Sequence, residues 1–112
     1  MQFTQKEVWQ RLETVIDPEL FIDVVSLGLV YSVEVREVQG PNGPQPWVHI
    51  VFTLTTPGCP LAGAFDGMLR TALEGLPELD VVRDVTIELT FDPPWVIDMM
   101  TEEARAELGF DT

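Results

Sequence analysis

The amino-acid sequence predicts an α+β fold: a compact two-layer domain in which helices pack on a small mixed β-sheet, in the order α-β-β-α-β-α. Three observations carry this prediction. Two segments alternate apolar and polar residues, as half-buried strands do. Others repeat apolar residues at three- and four-residue spacing, as amphipathic helices do. The third is a strand, helix, strand crossover, which favours a parallel pair beside an antiparallel hairpin.

The first helix is bounded by clear local signals. Thr4 and Glu7 have the spacing of a capping box, in which each side chain satisfies a backbone N–H group at the helix start. The helix is expected to end near Asp17, because Pro18 disfavours a helical residue before it.

Two strands and a long loop should follow. Residues 29–38 and 47–55 are predicted strands that form an antiparallel hairpin. The segment between them, 39–46, contains three prolines and two glycines and is therefore predicted to be a loop. The remaining predicted elements are a helix over 60–74, a strand over 81–91, and a helix that begins at Thr101 and stops at Gly109.

Length and composition indicate one folded unit. The chain has 112 residues, of which 46% are apolar and 22% charged, so we expect residues 1–112 to form a single domain. The one cysteine cannot form an internal disulfide or a four-cysteine metal site, which fits a reducing compartment. No apolar run approaches the about 20 residues that span a bilayer, so we expect a cytoplasmic protein that does not bind membranes.

The charge is strongly acidic. Nineteen Asp and Glu residues against six Lys and Arg give a net charge of −13. Such a charge repels phosphate backbones, so nucleic-acid binding is not expected. The charge favours solubility, and the alternative is that it also attracts basic protein partners or metal cations.

Cys59 lies where the second strand gives way to the second helix. Pro60 suits the first helical position, and Gly58 removes a side chain just before the sulfur. Unpaired N–H groups and the helix dipole at such an end favour an anion, and this is expected to lower the pKa of the thiol. Cys59 is then a candidate nucleophile or metal ligand. The ordinary alternative is a buried cysteine that serves only as a small apolar side chain.

Five short motifs in this order resemble the SufT/PaaD-like family of iron–sulfur cluster assembly factors. They are Asp17-Pro18-Glu19, Leu27-Gly28-Leu29-Val30, Thr56-Pro57-Gly58-Cys59-Pro60, Asp92-Pro93-Pro94-Trp95, and Ala104-Arg105 with Leu108-Gly109. The likeness covers nearly the whole chain. It implies a factor, not an enzyme, that helps to transfer or insert clusters into client apoproteins.

The resemblance also implies site residues. The reactive cysteine of the family falls on Cys59, and its acidic motif falls on Asp17 and Glu19, as possible oxygen ligands or a docking surface. Residues that would support the site or a partner are Thr56, Pro57, Gly58 and Trp95. The alternative for the carboxylates is ordinary turn chemistry or solvation, and the prolines and Gly58 have an equally ordinary role in fixing turns.

One sulfur cannot complete an iron–sulfur cluster, because clusters generally take about four protein ligands. A transient cluster or iron ion would therefore be shared with a second chain in a homodimer, with a client or with a small thiol. The expected partners are iron–sulfur assembly proteins and client apoproteins.

Two other functions stay open at this point. One is a protein-binding adaptor without metal chemistry, in which Trp95 and residues 17–28 form a docking face. The other is an enzyme with Cys59 as nucleophile, which needs a nearby base. The only histidine, His49, lies about ten residues earlier in a strand and is expected to be a packing or surface residue.

Overall fold

A small sheet with helices packed against it forms the fold. The computed structural model describes residues 3–18, 20–41, 43–55 and 62–109. Its elements in order are helix α1 (Gln5–Leu12), strands β1 (Val30–Gly40) and β2 (Gly43–Phe52), helix α2 (Ala62–Ala72), strand β3 (Val85–Leu89), a 3-10 helix (Ile97–Met99) and helix α3 (Glu102–Leu108). The predicted α+β class and element order are confirmed.

The three described strands lie in the order β1-β2-β3. β1 pairs with β2 in antiparallel fashion, and β2 pairs with β3 in parallel fashion. The predicted hairpin and parallel crossover are both present, so the sheet is mixed. At one edge of the sheet, Phe52 of β2 lies opposite Val30 of β1 and Leu89 of β3.

The core lies between the sheet and the helices. α1 packs against β1 and α2, and α2 also packs against β3. Burial of each large apolar side chain contributes about 1.5–3 kcal/mol, which is why the apolar faces of these elements stay together. The most deeply buried apolar side chains are Val8, Leu12, Val24, Leu27, Leu29, Val48, Ile50, Leu69 and Leu73.

The hairpin is longer than the sequence predicted. The prediction of a loop over 39–46 is wrong, because the pairing continues through Glu37↔Pro46 and Gln39↔Pro44 to Gly40↔Gly43. β3 pairs only with residues 48–52, so the described sheet leaves one side of residues 43–47 without a strand. Prolines are tolerated there because no ladder hydrogen bond is needed on that side. Pro44 and Pro46 lie two residues apart, and both can point their missing N–H toward that side.

The first helix is shorter than predicted. α1 ends at Leu12 and not near Asp17, with Glu13 as its C-cap. The next residues, Thr14, Val15 and Ile16, are all β-branched and prefer extended backbone. Ile16 accordingly forms an isolated antiparallel bridge with Asp23.

Two later boundaries also differ. β3 begins at Val85 and not at residue 81, because residues 80–84 form a turn, and it ends at Leu89 two residues before the predicted end. α2 ends at Ala72, two residues earlier than predicted, and its predicted start at Pro60 lies outside the described residues. No helix in the described ranges is long and apolar enough to cross a membrane.

The predicted helix caps were more accurate. The hydroxyl of Thr4 accepts a hydrogen bond from the Glu7 N–H at the start of α1. The hydroxyl of Thr101 accepts one from the Ala104 N–H at the start of α3. Gly109 ends α3 in the left-handed conformation, with φ of 84°.

Candidate functional site

The sheet register brings together three strand ends that adjoin sequence motifs. β1 begins where β2 and β3 end, since Val30, Phe52 and Leu89 lie side by side. The Leu27-Gly28 motif leads into β1, the cysteine motif follows β2, and the Asp-Pro-Pro-Trp motif follows β3. We call this side of the sheet the motif edge.

The loop before β1 is fastened to the segment after β3. The Trp95 indole N–H donates to the Leu27 carbonyl over 2.8 Å, and the Thr101 backbone N–H donates to the Ser26 carbonyl over 2.9 Å. Gly28 directly follows Leu27 at a φ of +76°, and a Cβ atom there would clash with the Met99 carbonyl oxygen. Only glycine fits this position without a shift of the backbone.

A β-bulge adds a third connection. The pairing of β1 with β2 shifts register between Val30 and Ser32, which leaves Tyr31 as the extra residue. The Tyr31 hydroxyl donates to the Pro93 carbonyl over 2.7 Å and lies 3.6 Å from the Met99 sulfur. The bulge thus directs the tyrosine toward the Asp-Pro-Pro-Trp motif, a role that strand alternation alone did not predict.

Asp17 anchors a tight turn through contacts with Leu20, Phe21 and Ile22. Asp17 is buried, and its Oδ1 accepts a hydrogen bond from the Leu20 N–H over 3.0 Å. Its backbone N–H donates to the Ile22 carbonyl, and its carbonyl accepts from the Phe21 N–H. Asp17 therefore fixes the shape of this turn, whatever else it contacts. Phe21 is held at a φ of +61° with 79% of its surface exposed.

An apolar cavity of about 200 Å³ lies beside the motif edge. It brings together Leu20 from the Asp17 turn, Thr55 from the segment after β2 and Trp95 from the segment after β3. Its remaining described lining consists of Ile97, Met100 and Leu108. Sequence reasoning placed Trp95 and Leu108 in motifs but did not predict that they share a cavity with Leu20.

Several of the predicted site residues lie outside the described part of the chain. These are Glu19, Thr56, Pro57, Gly58 and Cys59. Their roles, and the proposed helix-end setting of the thiol, remain predictions. Of the predicted site residues, the structure describes Asp17 and Trp95. Thr55, which precedes the cysteine motif in sequence, lines the same cavity as Trp95.

His49 lies in the middle of the sheet. It pairs with Glu34 of β1 and Thr86 of β3, and its ring meets Trp47 edge-on at a centroid distance of 5.7 Å. Its Nε2 lies 3.3 Å from Glu88 Oε1 without the alignment of a hydrogen bond. Within the described ranges, no three His, Cys, Asp or Glu side chains are grouped as a metal site would require.

A cluster of polar side chains lies on the side of the sheet opposite the motif edge, just before β3. The buried Asp84 carboxylate accepts two hydrogen bonds from Arg83 at 2.7 and 3.0 Å, one from Gln45 and one from the Asp80 N–H. The Arg83 hydrogen bonds lower the pKa of Asp84, against the opposing effect of burial. Backbone N–H groups of Arg83 and Val82 lower the pKa of Asp80. This cluster anchors a turn and was not predicted.

Comparison with known proteins identifies the family. Residues 5–83 match the family described as an iron-sulfur cluster assembly protein. The chain belongs to this family, and a role in iron–sulfur cluster assembly or maturation follows at that level.

Two curated relatives match over most of their own length. The Fe-S protein maturation auxiliary factor YitW of Bacillus subtilis is 39% identical, over 94% of this chain and 93% of the relative. The Fe-S protein maturation auxiliary factor SufT of Staphylococcus aureus is 38% identical, over 85% of this chain and 97% of the relative. The resemblance drawn from the five motifs is therefore confirmed.

A solved structure agrees with the fold. A domain of unknown function from Bacillus anthracis superposes with a TM-score of 0.79 and 33% sequence identity. The match covers 94% of this chain and 91% of that chain. The sheet and helices described above are thus those of a known fold.

Proposed function

We propose that this protein matures iron–sulfur proteins by passing iron or a cluster to client apoproteins, with the Cys59 thiolate as a transient ligand. Family membership supports the assembly role. The observation that carries the proposal is the convergence at the motif edge, where Leu20, Thr55 and Trp95 line one cavity. Cys59 follows Thr55 by four residues in sequence, so the chain enters the cysteine motif directly from this cavity.

The cluster would be held only in part by this chain. A cluster takes about four protein ligands, and the sequence contains one cysteine. The remaining ligands would come from the client, from a small thiol or from a second copy of the chain in a homodimer. Incomplete ligation suits a transfer factor, because a cargo held by one thiolate is released readily to a client that offers several.

The other predicted site residues would support this transfer. Thr56, Pro57 and Gly58 would shape the backbone beside the thiol, and Glu19 would add an acidic contact for a cation or a client. Asp17 supports the adjoining turn by accepting a hydrogen bond from the Leu20 N–H. Trp95 would contribute to client docking, since its ring lines the cavity while its N–H donates a hydrogen bond to the Leu27 carbonyl.

A non-enzymatic role is the proposal that fits these residues. The described lining of the cavity carries no carboxylate, imidazole or amine that could act as a general base for a cysteine nucleophile. His49 contacts Trp47 and Glu88 within the sheet. Relatives that are maturation auxiliary factors support the same conclusion.

Anaerobic reconstitution with iron and sulfide tests the ligand role. We expect wild-type protein to develop a visible absorption band that Cys59→Ser lacks, and the iron content per chain to show whether two chains share a cluster. Met68→Leu is the matched control, because it removes a different sulfur from a half-buried position at nearly constant volume. Equal iron binding by wild type and Cys59→Ser would reject Cys59 as the ligand.

The adaptor function is the second candidate, and the cavity favours it. An apolar cavity bordered by Trp95 can hold part of a partner without any metal chemistry. If neither wild type nor Cys59→Ser holds iron but both restore client maturation equally, the protein acts by docking alone.

A further inference from the structure

We propose that the cavity formed by Leu20, Thr55, Trp95, Ile97, Met100 and Leu108 receives one apolar side chain, of about leucine size, from a lysine- or arginine-rich segment of a client protein. This inference rests on the proposed maturation role and names the chemistry by which a client would be recognised. The motifs themselves do not identify this contact.

The size of the cavity favours a side chain over a cofactor. Its volume is about 200 Å³, whereas pockets for small molecules and cofactors commonly measure about 300–1,000 Å³. A cavity of about 150 Å³ in another protein accommodates a benzene molecule. A leucine or phenylalanine side chain therefore fits the available space, and a nucleotide or a larger cofactor does not.

The lining selects an apolar occupant. Four of the six described lining residues are aliphatic or methionine side chains, and the fifth is the ring of Trp95. The Trp95 N–H is already donated to the Leu27 carbonyl, so among the described lining side chains only the Thr55 hydroxyl is left to hydrogen-bond a polar occupant. A buried polar group would lose its water without full compensation. Met100 adds an adaptable contact, since methionine adjusts to different apolar shapes.

The surrounding charge selects a basic partner. The lining residues Ile97, Met100 and Leu108 belong to the segment 97–108, which also carries Asp98, Glu102, Glu103 and Glu107, all exposed. Its single base is Arg105, which lies 3.6 Å from Asp98. A second copy of this chain, with a net charge of −13, would be repelled from this acidic segment. Lysine or arginine beside the inserted side chain would be attracted.

Nuclear magnetic resonance of ¹⁵N-labelled protein can test the inference. The probe is a seven-residue peptide with a central leucine, a serine on each side and two lysines at each end. We expect it to shift the indole N–H signal of Trp95, which is assigned by its absence in Trp95→Phe. A peptide with alanine in place of leucine should bind with an affinity lower by roughly tenfold or more, because most of the buried apolar area is lost.

A matched pair of variants tests the location. Ile97→Lys adds a positive charge at the cavity, whereas Val82→Lys makes the same change at a site that is 80% exposed and outside the lining. Binding should be lost in Ile97→Lys and kept in Val82→Lys, with thermal melts confirming that both are folded. A peptide with glutamate in place of lysine should not bind, and added salt should weaken the lysine peptide.

The outcomes separate this inference from the proposed function. Cys59→Ser should bind the leucine peptide as wild type does, so loss of iron without loss of peptide binding is the expected pattern. The inference is overturned if the Trp95 signal does not move, if the alanine peptide binds equally well, or if Val82→Lys weakens binding as much as Ile97→Lys. None of these results would affect the role of Cys59.

Discussion

The indole N–H of Trp95 donates a hydrogen bond to the carbonyl oxygen of Leu27 over 2.8 Å, although the two residues are 68 positions apart. The Tyr31 hydroxyl and the Pro93 carbonyl form a second connection of this kind. The loop before β1 and the segment after β3 are thereby fixed to each other. This arrangement holds Trp95 in place, and Trp95 lines the apolar cavity.

Trp95→Phe should lower stability, because the Leu27 carbonyl loses its hydrogen-bond donor. We expect a loss of about 1–3 kcal/mol, measured by urea unfolding. Trp47→Phe is the control, since its indole N–H has no hydrogen-bond acceptor among the described residues. An equal loss in both variants would show that ring volume, and not the Leu27 contact, determines the effect.

Gly28→Ala should be strongly destabilising. The φ of +76° costs an alanine about 1–2 kcal/mol, and the clash of its Cβ atom with the Met99 carbonyl oxygen adds to this cost. Gly67→Ala should have the opposite sign and raise stability by about 0.5–1 kcal/mol, because Gly67 lies within α2 with open space around it. Denaturant titration of both variants measures the two effects. Destabilisation of similar size in both would contradict the account.

Phe21 is expected to carry backbone strain. Its φ of +61° is unfavourable for an aromatic side chain, and most of that side chain contributes no packing. Phe21→Asn should raise the free energy of unfolding by up to about 1 kcal/mol, because asparagine tolerates this conformation better. Phe21→Val should lower it, because β-branched residues tolerate it poorly. A higher melting temperature for the valine variant than for the asparagine variant would rule out the strain.

The Asp84 cluster should make stability depend on pH. Because the folded-state pKa of Asp84 is lowered, its contribution is fully present above the unfolded pKa of about 3.9 and is lost as pH falls through the folded pKa. Asp84→Asn should cost about 1–3 kcal/mol at neutral pH and should flatten the decline of the melting temperature in acid.

Asp98→Asn serves as the control for this experiment, since the Asp98 side chain is 91% exposed. It should leave both the neutral-pH stability and the acid decline nearly as in wild type. A wild-type decline in acid that persists unchanged in Asp84→Asn would assign the pH dependence to other carboxylates.

Local sequence signals predicted the parts of the fold that depend on a few neighbouring residues. Thr101 begins α3 and Gly109 ends it, as predicted. An N-cap side chain and a left-handed C-cap residue each act within one helical turn. The extension of the hairpin was missed, since Pro44 and Pro46 are tolerated only because β3 pairs with a different part of β2. That condition comes from a strand about forty residues away along the chain.

The candidate site was also predicted only in part from the sequence. The motifs containing Asp17 and Trp95 were recognised from their sequence, but the cavity that joins Leu20 to Trp95 depends on tertiary packing. The burial of Asp84 was not predicted, because a carboxylate in a turn is usually solvated and its partner Gln45 of β2 lies 39 positions away in the sequence. Pairings between residues this far apart leave no periodic pattern in the sequence.

The most direct test of the central claim is the rate at which an apo-ferredoxin recovers its visible circular dichroism when a small-thiol iron–sulfur complex supplies the cluster. We predict that wild-type protein and Met68→Leu accelerate the recovery, whereas Cys59→Ser leaves it at the rate seen without added protein. Acceleration by Cys59→Ser equal to that of wild type would contradict a cluster-transfer role for this thiol.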